Sequence, residues 1–292
     1  MSKTSEKAYA KLNISLDVVG KRADGYHDMV MVMQTVSLCD DIEIALRDDG
    51  ICRASCNLPF VPCDERNLAV KAAKKYFECI GEPEAGAWLR VHKRIPVGSG
   101  MGGGSADAAA VLRGLDRLCG ERLGCEKLEE LAAQIGSDVA FCVAGGTALA
   151  TGRGELLSPL PPLPDCFAVI CKPDFSTSTP ELFKKLDSVK LRCHPDTDGI
   201  CRALRSGSLG EIARRMYNVF EDAPDRRHTV IADIKSRLID LGALGAIMTG
   251  TGSAVFGLFD DEGRAVAAQA SLGGDFRSCF KAKNVPRIEF NK

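Results

Sequence analysis

Between Gly98 and Gly104 the chain places glycine at five of seven positions, within Pro96-Val97-Gly98-Ser99-Gly100-Met101-Gly102-Gly103-Gly104-Ser105. Glycine loses more conformational entropy on folding than any other residue; in return its backbone reaches φ > 0 and lets other groups come close. Such a density is not a packing device. A strong helix-forming run, Ser105-Ala106-Asp107-Ala108-Ala109-Ala110-Val111-Leu112, follows at once. A glycine loop that feeds a helix N-terminus aims free N–H groups and the positive end of the dipole at one point. That is a cradle for an anion, usually a phosphate.

Three other accounts of the loop can be set against its surroundings. Gly98-x-Gly100-x-x-Gly103 satisfies the dinucleotide fingerprint, which requires a buried apolar strand before it and a second strand after its helix. The preceding Trp88–Ile95 stretch instead alternates, with Leu89, Val91 and Ile95 set against Arg90, His92 and Arg94, as in a half-exposed strand. After the helix, Leu118-Cys119-Gly120 leads into another helical pattern. A Walker A loop ends in Gly-Lys-Ser/Thr, and here Gly104 meets Ser105 with no lysine. A flexible linker does not fit the abrupt Pro96 before the loop or the helix signal after it.

The 292 residues have room for two domains, and their 45% hydrophobic content supplies an ample core. A net charge of −1 leaves no electrostatic footprint for nucleic acid. No apolar run approaches the roughly 20 residues that span a membrane, so no membrane partner is expected. MSKTSEKAY lacks the apolar segment of a signal peptide, which points to a cytoplasmic protein. The 13 cysteines contain no C-x-x-C pair or zinc spacing and read as reduced thiols, mostly small hydrophobes of the core.

Along the chain, Ala8 to Val19 alternates cleanly. Ala8, Ala10, Leu12, Ile14, Leu16 and Val18 share one face; Lys11, Asn13, Ser15 and Asp17 share the other. Lys11 and Asn13 therefore project side by side, either as a solvated strand face or as working groups. The turn Lys21-Arg22-Ala23-Asp24-Gly25 leads to Tyr26-His27, and strands are expected over Met29–Leu38 and Ile42–Leu46. Asn67–Ile80 reads as a helix capped near Asp64, and Lys127–Ile135 as another. Asp138, in Gly136-Ser137-Asp138-Val139-Ala140-Phe141, has the bland role of helix N-cap open to it. Ser158–Pro164 holds four prolines in six positions and marks a boundary between residues 1–158 and 159–292. Beyond it come a strand at Cys166–Cys171, a helix carrying Phe183 and a mainly helical stretch over 197–241. A strand–glycine turn–strand unit over Leu244–Phe259 follows, centred on Gly250-Thr251-Gly252-Ser253.

Three of these segments, in this order, resemble the motifs of the GHMP kinases: Ala10–Leu16, the loop Pro96–Ser105, and Met248–Ser253. The resemblance covers nearly the whole chain and is thinnest over about 185–215. It implies an α+β, two-domain architecture, with an N-terminal α/β nucleotide-binding domain and a C-terminal ferredoxin-like domain. Arg22-x-Asp24-Gly25-Tyr26-His27 narrows it to the branch whose alcohol substrate carries a cytidine diphosphate group and serves non-mevalonate isoprenoid biosynthesis. Homoserine and mevalonate kinases are the alternatives within the family, and a non-catalytic binding protein on the same fold is the alternative outside it. Intact Lys11, Asp138 and loop glycines weigh against the last.

By that resemblance ATP lies on Pro96, Gly98, Gly100, Met101, Gly102, Gly103, Gly104 and Ser105, with Asn67 and Leu68 near the adenine. Mg²⁺ accompanies its phosphates with few dedicated protein ligands, Ser105 standing near the metal-bound oxygens. Asp138 accepts the substrate hydroxyl's proton, or only orients the hydroxyl, and Lys11 holds that carboxylate ionised. Substrate contacts fall to Asn13, Tyr26, His27, Phe183, Thr251 and Gly252. Tyr26 and Phe183 sandwich the cytosine and His27 reads its edge. Ala140 stands where the family has proline. A monomer or weak homodimer is expected.

Overall fold

The structure is a computed structural model and describes residues 2–290 apart from 192 and 224. Its first sheet grows from one long hairpin. Strand β1, Lys3–Lys21, runs antiparallel to β2, His27–Arg47, in register from Lys3↔Ala45 to Lys21↔His27 with three bulges. β4 (Gly86–His92) pairs with the far half of β2 and β5 (Thr147–Thr151) with its near half. β3 (Cys52–Cys56) adds in parallel beyond β4, and β6 (Leu156–Pro159) beyond β5. A two-residue strand from much later in the chain, β8 (Tyr217–Asn218), pairs in parallel with β1 and completes seven strands.

Two strand expectations are corrected here. β2 is one strand where two were expected, and it runs straight through Cys39-Asp40-Asp41. The polar interruption is not a turn, because Asp40 is fully buried and its carboxylate takes the N–H groups of Arg94 and Ile95. The polar face of β1 is not a solvated one either. Every residue from Ala10 to Val18 is buried, and the second face is covered piece by piece. The Lys11 stem lies against Gly102, the Asn13 N–H donates to Thr249 Oγ1, and His194 Nδ1 approaches Asp17 at 2.8 Å.

Helices α1 (Leu68–Cys79), α2 (Gly103–Leu118) and α4 (Ser137–Ala144) pack on this sheet, and α3 (Gly124–Ala133) packs on the helices, chiefly α4. Residues Ala106 through Asp116 of α2 are buried without a break, so this helix has no solvent face. Most of its polar groups are satisfied inside the protein, although Asp107 Oδ1 is buried without a hydrogen-bond partner among the described residues. Arg113 donates to the carbonyls of Cys142, Val143 and Lys7, and Asp116 accepts from Tyr76 Oη and the Leu123 N–H. Asn67, rather than Asp64, caps α1: its Oδ1 accepts from the Ala69 N–H at 2.9 Å.

The second sheet follows the order β11-β7-β10-β9, with all neighbours antiparallel. Its strands are β7 (Phe167–Lys172), β9 (Gly245–Met248), β10 (Val255–Phe259) and β11 (Ser278–Lys283). Between β7 and β9 the chain forms α5 (Thr179–Leu186), α6 (Thr197–Arg205), α7 (Leu209–Arg214), β8, a 3₁₀ turn and α8 (His228–Asp240). α9 (Glu262–Gly273) joins β10 to β11. With β7 as the first strand, the order 4-1-3-2 and the β–α–β–β–α–β succession are those of a ferredoxin-like sheet. All 13 cysteines are free. Cys52, Cys142, Cys166, Cys171 and Cys201 are buried while Cys79 and Cys193 are exposed, so fewer serve the core than composition suggests.

Candidate active site

The glycine loop lies where the two sheets meet. β4 ends at His92, and the loop then takes left-handed turns at Gly98, Gly100 and Gly102, with φ of +67°, +80° and +69°. Gly102 is the N-cap of α2 and offers no side-chain cap, so the first-turn N–H groups are free to face a ligand. The loop is clasped from both sides. The Lys11 N–H donates to the Met101 carbonyl and the Ala254 N–H to the Ser99 carbonyl, each at 3.0 Å. A Cβ on Gly100 would stand 2.2 Å from the Thr249 carbonyl oxygen. The glycines thus admit neighbouring protein segments. Gly103, the first residue of α2, is not left-handed; a Cβ there would meet Ile95 and Lys93 Nζ at 3.0 and 3.1 Å.

Beneath the loop sits an ionic cluster that the sequence analysis missed. Lys93 Nζ donates to Asp40 Oδ2 at 2.5 Å and to Asp107 Oδ2 at 2.8 Å, and all three side chains are buried. Burial pushes the Asp107 carboxyl up to about 7 against the pull of Lys93. Burial opposes the Lys93 charge, but the two carboxylates outweigh it and raise its pKa. A signal existed in the sequence: Lys93 continues the inward phase of Leu89 and Val91.

Lys11 and Asp138 meet across the loop. Lys11 Nζ lies 2.7 Å from Asn13 Oδ1 and 3.5 Å from Asp138 Oδ2, with the lysine side chain only 5% exposed and the aspartate 34%. A charged lysine so deeply buried needs such partners. Asp138 is not the N-cap of α4. Gly136 is, in extended backbone, and Asp138 stands in the first helical turn, where the dipole favours a carboxylate. Ala140, at the position of the family's proline, is buried inside the same short helix.

At the other end, Asp24 Oδ1 accepts the Tyr26 N–H within the Lys21–His27 turn, and Tyr26 stands 58% exposed with the Arg153 guanidinium 5.2 Å from its ring centre. His27 is buried and stacks on Phe183 of α5, centroids 4.5 Å apart and planes 20° from parallel. Phe183 rests edge-on against Phe220. His27 Nε2 lies 2.8 Å from Asp187 Oδ1, so that nitrogen is already engaged.

One cleft of about 1020 Å³ joins these parts. Its lining includes Lys11, Asn67, Leu68, Pro96, Gly98, Gly100, Gly102, Gly103, Gly104 and Ser105. Asp138, Tyr26, His27, Phe183, Thr251 and Gly252 line it as well. Of the residues singled out from the sequence, Asn13 and Met101 lie outside that lining, both fully buried behind Lys11. Lys21, Arg66, Arg153 and Lys184, which the sequence did not single out, also line the cleft, the first three paired with Asp187, Asp64 and Glu155. Thr251 Oγ1 is within 2.9 Å of Thr179 Oγ1, joining the β9–β10 turn to the start of α5.

Comparison with known proteins identifies the family. The family model described as the GHMP kinases N terminal domain matches residues 67–146, and that described as GHMP kinases C terminal matches 200–277. A 4-diphosphocytidyl-2-C-methyl-D-erythritol kinase from Alkaliphilus metalliredigens is 41% identical over 292 residues, all of both chains. A crystal structure of 4-(cytidine 5'-diphospho)-2C-methyl-D-erythritol kinase superposes with a TM-score of 0.80 at 31% identity, covering 96% of this chain and 99% of that one. Homoserine kinase from Cytophaga hutchinsonii superposes at 0.78 but with 20% identity, over 98% of this chain and 96% of that one, and so shares the fold.

Proposed function

The chain belongs to the GHMP kinases, among those named 4-diphosphocytidyl-2-C-methyl-D-erythritol kinase, and on that premise we propose that its cleft moves the terminal phosphoryl group of ATP to the 2-hydroxyl of 4-diphosphocytidyl-2-C-methyl-D-erythritol. That reaction is a step of non-mevalonate isoprenoid biosynthesis. The observation that carries this assignment is that the Lys11–Asp138 pair, the glycine loop and the Tyr26, His27 and Phe183 side chains all line one continuous cleft.

Phosphoryl transfer asks a protein mainly for positioning and charge compensation. The N–H groups of Gly103, Gly104 and Ser105 hold the phosphates, and Pro96, Gly98, Gly100 and Gly102 shape the cradle around them. Asn67 and Leu68, beside Pro62 and Val61, form the wall for the adenine. Mg²⁺ would accompany the phosphates, with the Ser105 hydroxyl standing at the cradle beside them. When bound, the ion supplies neutralisation of phosphate charge. Asp138 takes the proton of the acceptor hydroxyl, and Lys11 steadies the charge that develops on that oxygen. Asn13 acts through Lys11, and the Met101 carbonyl fixes the strand that carries it. Tyr26, His27 and Phe183 build the pyrimidine pocket, with Thr251 and Gly252 closing the cleft from the second sheet.

Asp138→Ala tests the assignment. The variant is expected to lose several orders of magnitude in kcat while ATP affinity stays within a few-fold, because the carboxylate acts on the transition state. If ATP affinity collapses together with turnover in a folded variant, Asp138 is a structural residue of α4.

A further inference from the structure

The two aromatic platforms of the pyrimidine pocket come from parts of the chain with no reason of their own to stay in register. Tyr26 stands on the hairpin turn of the first sheet, and Phe183 on α5 beside the second. Asp187 connects them. It is the C-cap of α5, four residues after Phe183 and therefore on the same side of the helix. Its Oδ1 accepts from His27 Nε2 at 2.8 Å and its Oδ2 from Lys21 Nζ at 2.6 Å. Both donors belong to the ends of the turn that carries Tyr26, and His27 lies 160 residues away from Asp187 in sequence.

We propose that Asp187 is a positioning residue for pyrimidine recognition, holding His27 flat against Phe183 and the Tyr26 turn against α5 so that the two platforms keep a fixed spacing. This rests on the pyrimidine pocket described above and adds the residue that assembles it. A carboxylate accepts and cannot donate, so Nε2 of His27 carries the hydrogen and the ring has one orientation. The hydrogen bond from Lys21, then that from His27, holds the Asp187 carboxyl below the usual carboxylate range and keeps it an acceptor. His27 thus braces one face of Phe183. A stacked base gains from a platform that is already fixed, because binding then costs less side-chain ordering.

The test titrates CDP and a non-hydrolysable ATP analogue into wild type, Asp187→Ala and Asp187→Asn, with steady-state kinetics on the cytidylated alcohol. Asp187→Ala is expected to weaken CDP binding and raise the substrate KM by about tenfold, the scale of a lost charge-assisted hydrogen bond. Its kcat and affinity for the ATP analogue should stay within about twofold, since the phosphate cradle is untouched. Asp187→Asn, whose amide oxygen still accepts from Nε2–H, should lose about threefold. Unchanged CDP affinity in Asp187→Ala overturns the proposal, as does an equal loss for both ligands. Wild type that binds the ATP analogue but not CDP removes the pyrimidine pocket itself, a different failure.

Discussion

At the scale of single residues, the side chains that matter most are polar groups in places the hydrophobic pattern reserves for the core. Lys93 is the clearest. Lys93→Met should cost about 3–5 kcal/mol in denaturant unfolding, because it leaves the Asp40 and Asp107 carboxylates facing each other in the interior. A loss below about 1 kcal/mol would mean the cluster is solvated. The cluster also sets a pH dependence. A carboxyl raised to about 7 on folding favours the folded state below about pH 4 and loses that contribution as pH rises through 7. Wild-type stability, measured relative to Asp107→Asn, should therefore decline across that interval; a difference that does not vary with pH contradicts it. At the pocket, Tyr26→Ala should raise the substrate KM about 5- to 150-fold and Tyr26→Phe almost not at all, since the ring face makes the contact. Titration with CDP checks both. Tyr26, Asp138 and Lys11 were legible as letters of motifs. Asp187 was not, and of Lys93 only the inward phase was, because what they do depends on partners from distant elements.

At the scale of elements, the alternation of β1, the half-exposed face of β4 and the loop–α2 junction could all be read in the sequence. What periodicity could not give is which faces would be covered twice. The polar face of β1 looks like a solvent face, yet the glycine loop, Thr249 and His194 close over it. Density of glycine marked a site of close approach, and the approach seen is by protein. Gly100→Ala would set a Cβ 2.2 Å from the Thr249 carbonyl on a backbone at φ +80° and so part the loop from the β9–β10 turn. It should lower ATP affinity at least tenfold and cost about 1–3 kcal/mol of stability. A variant with wild-type ATP affinity would show that the clasp between loop and turn is dispensable.

At the scale of the whole molecule, function depends on two sheets meeting along one cleft. The first carries Lys11, the cradle and Tyr26; the second and its helices carry Thr251, Gly252 and Phe183. β8 then returns to the first sheet, and Asn218 Nδ2 donates to the carbonyls of Met248 and Gly250, fastening the β9–β10 turn in place. Fold alone does not choose the substrate, since homoserine kinase shares it at a TM-score of 0.78. We propose that the choice lies in the pocket built on Tyr26, His27 and Phe183. The most direct measurement is ADP release from ATP with 4-diphosphocytidyl-2-C-methyl-D-erythritol, mevalonate or homoserine as acceptor under identical conditions. Turnover with the cytidylated alcohol, at a kcat/KM at least about 1000-fold above either of the others, is the expected result. Comparable or faster turnover with mevalonate or homoserine would contradict the account.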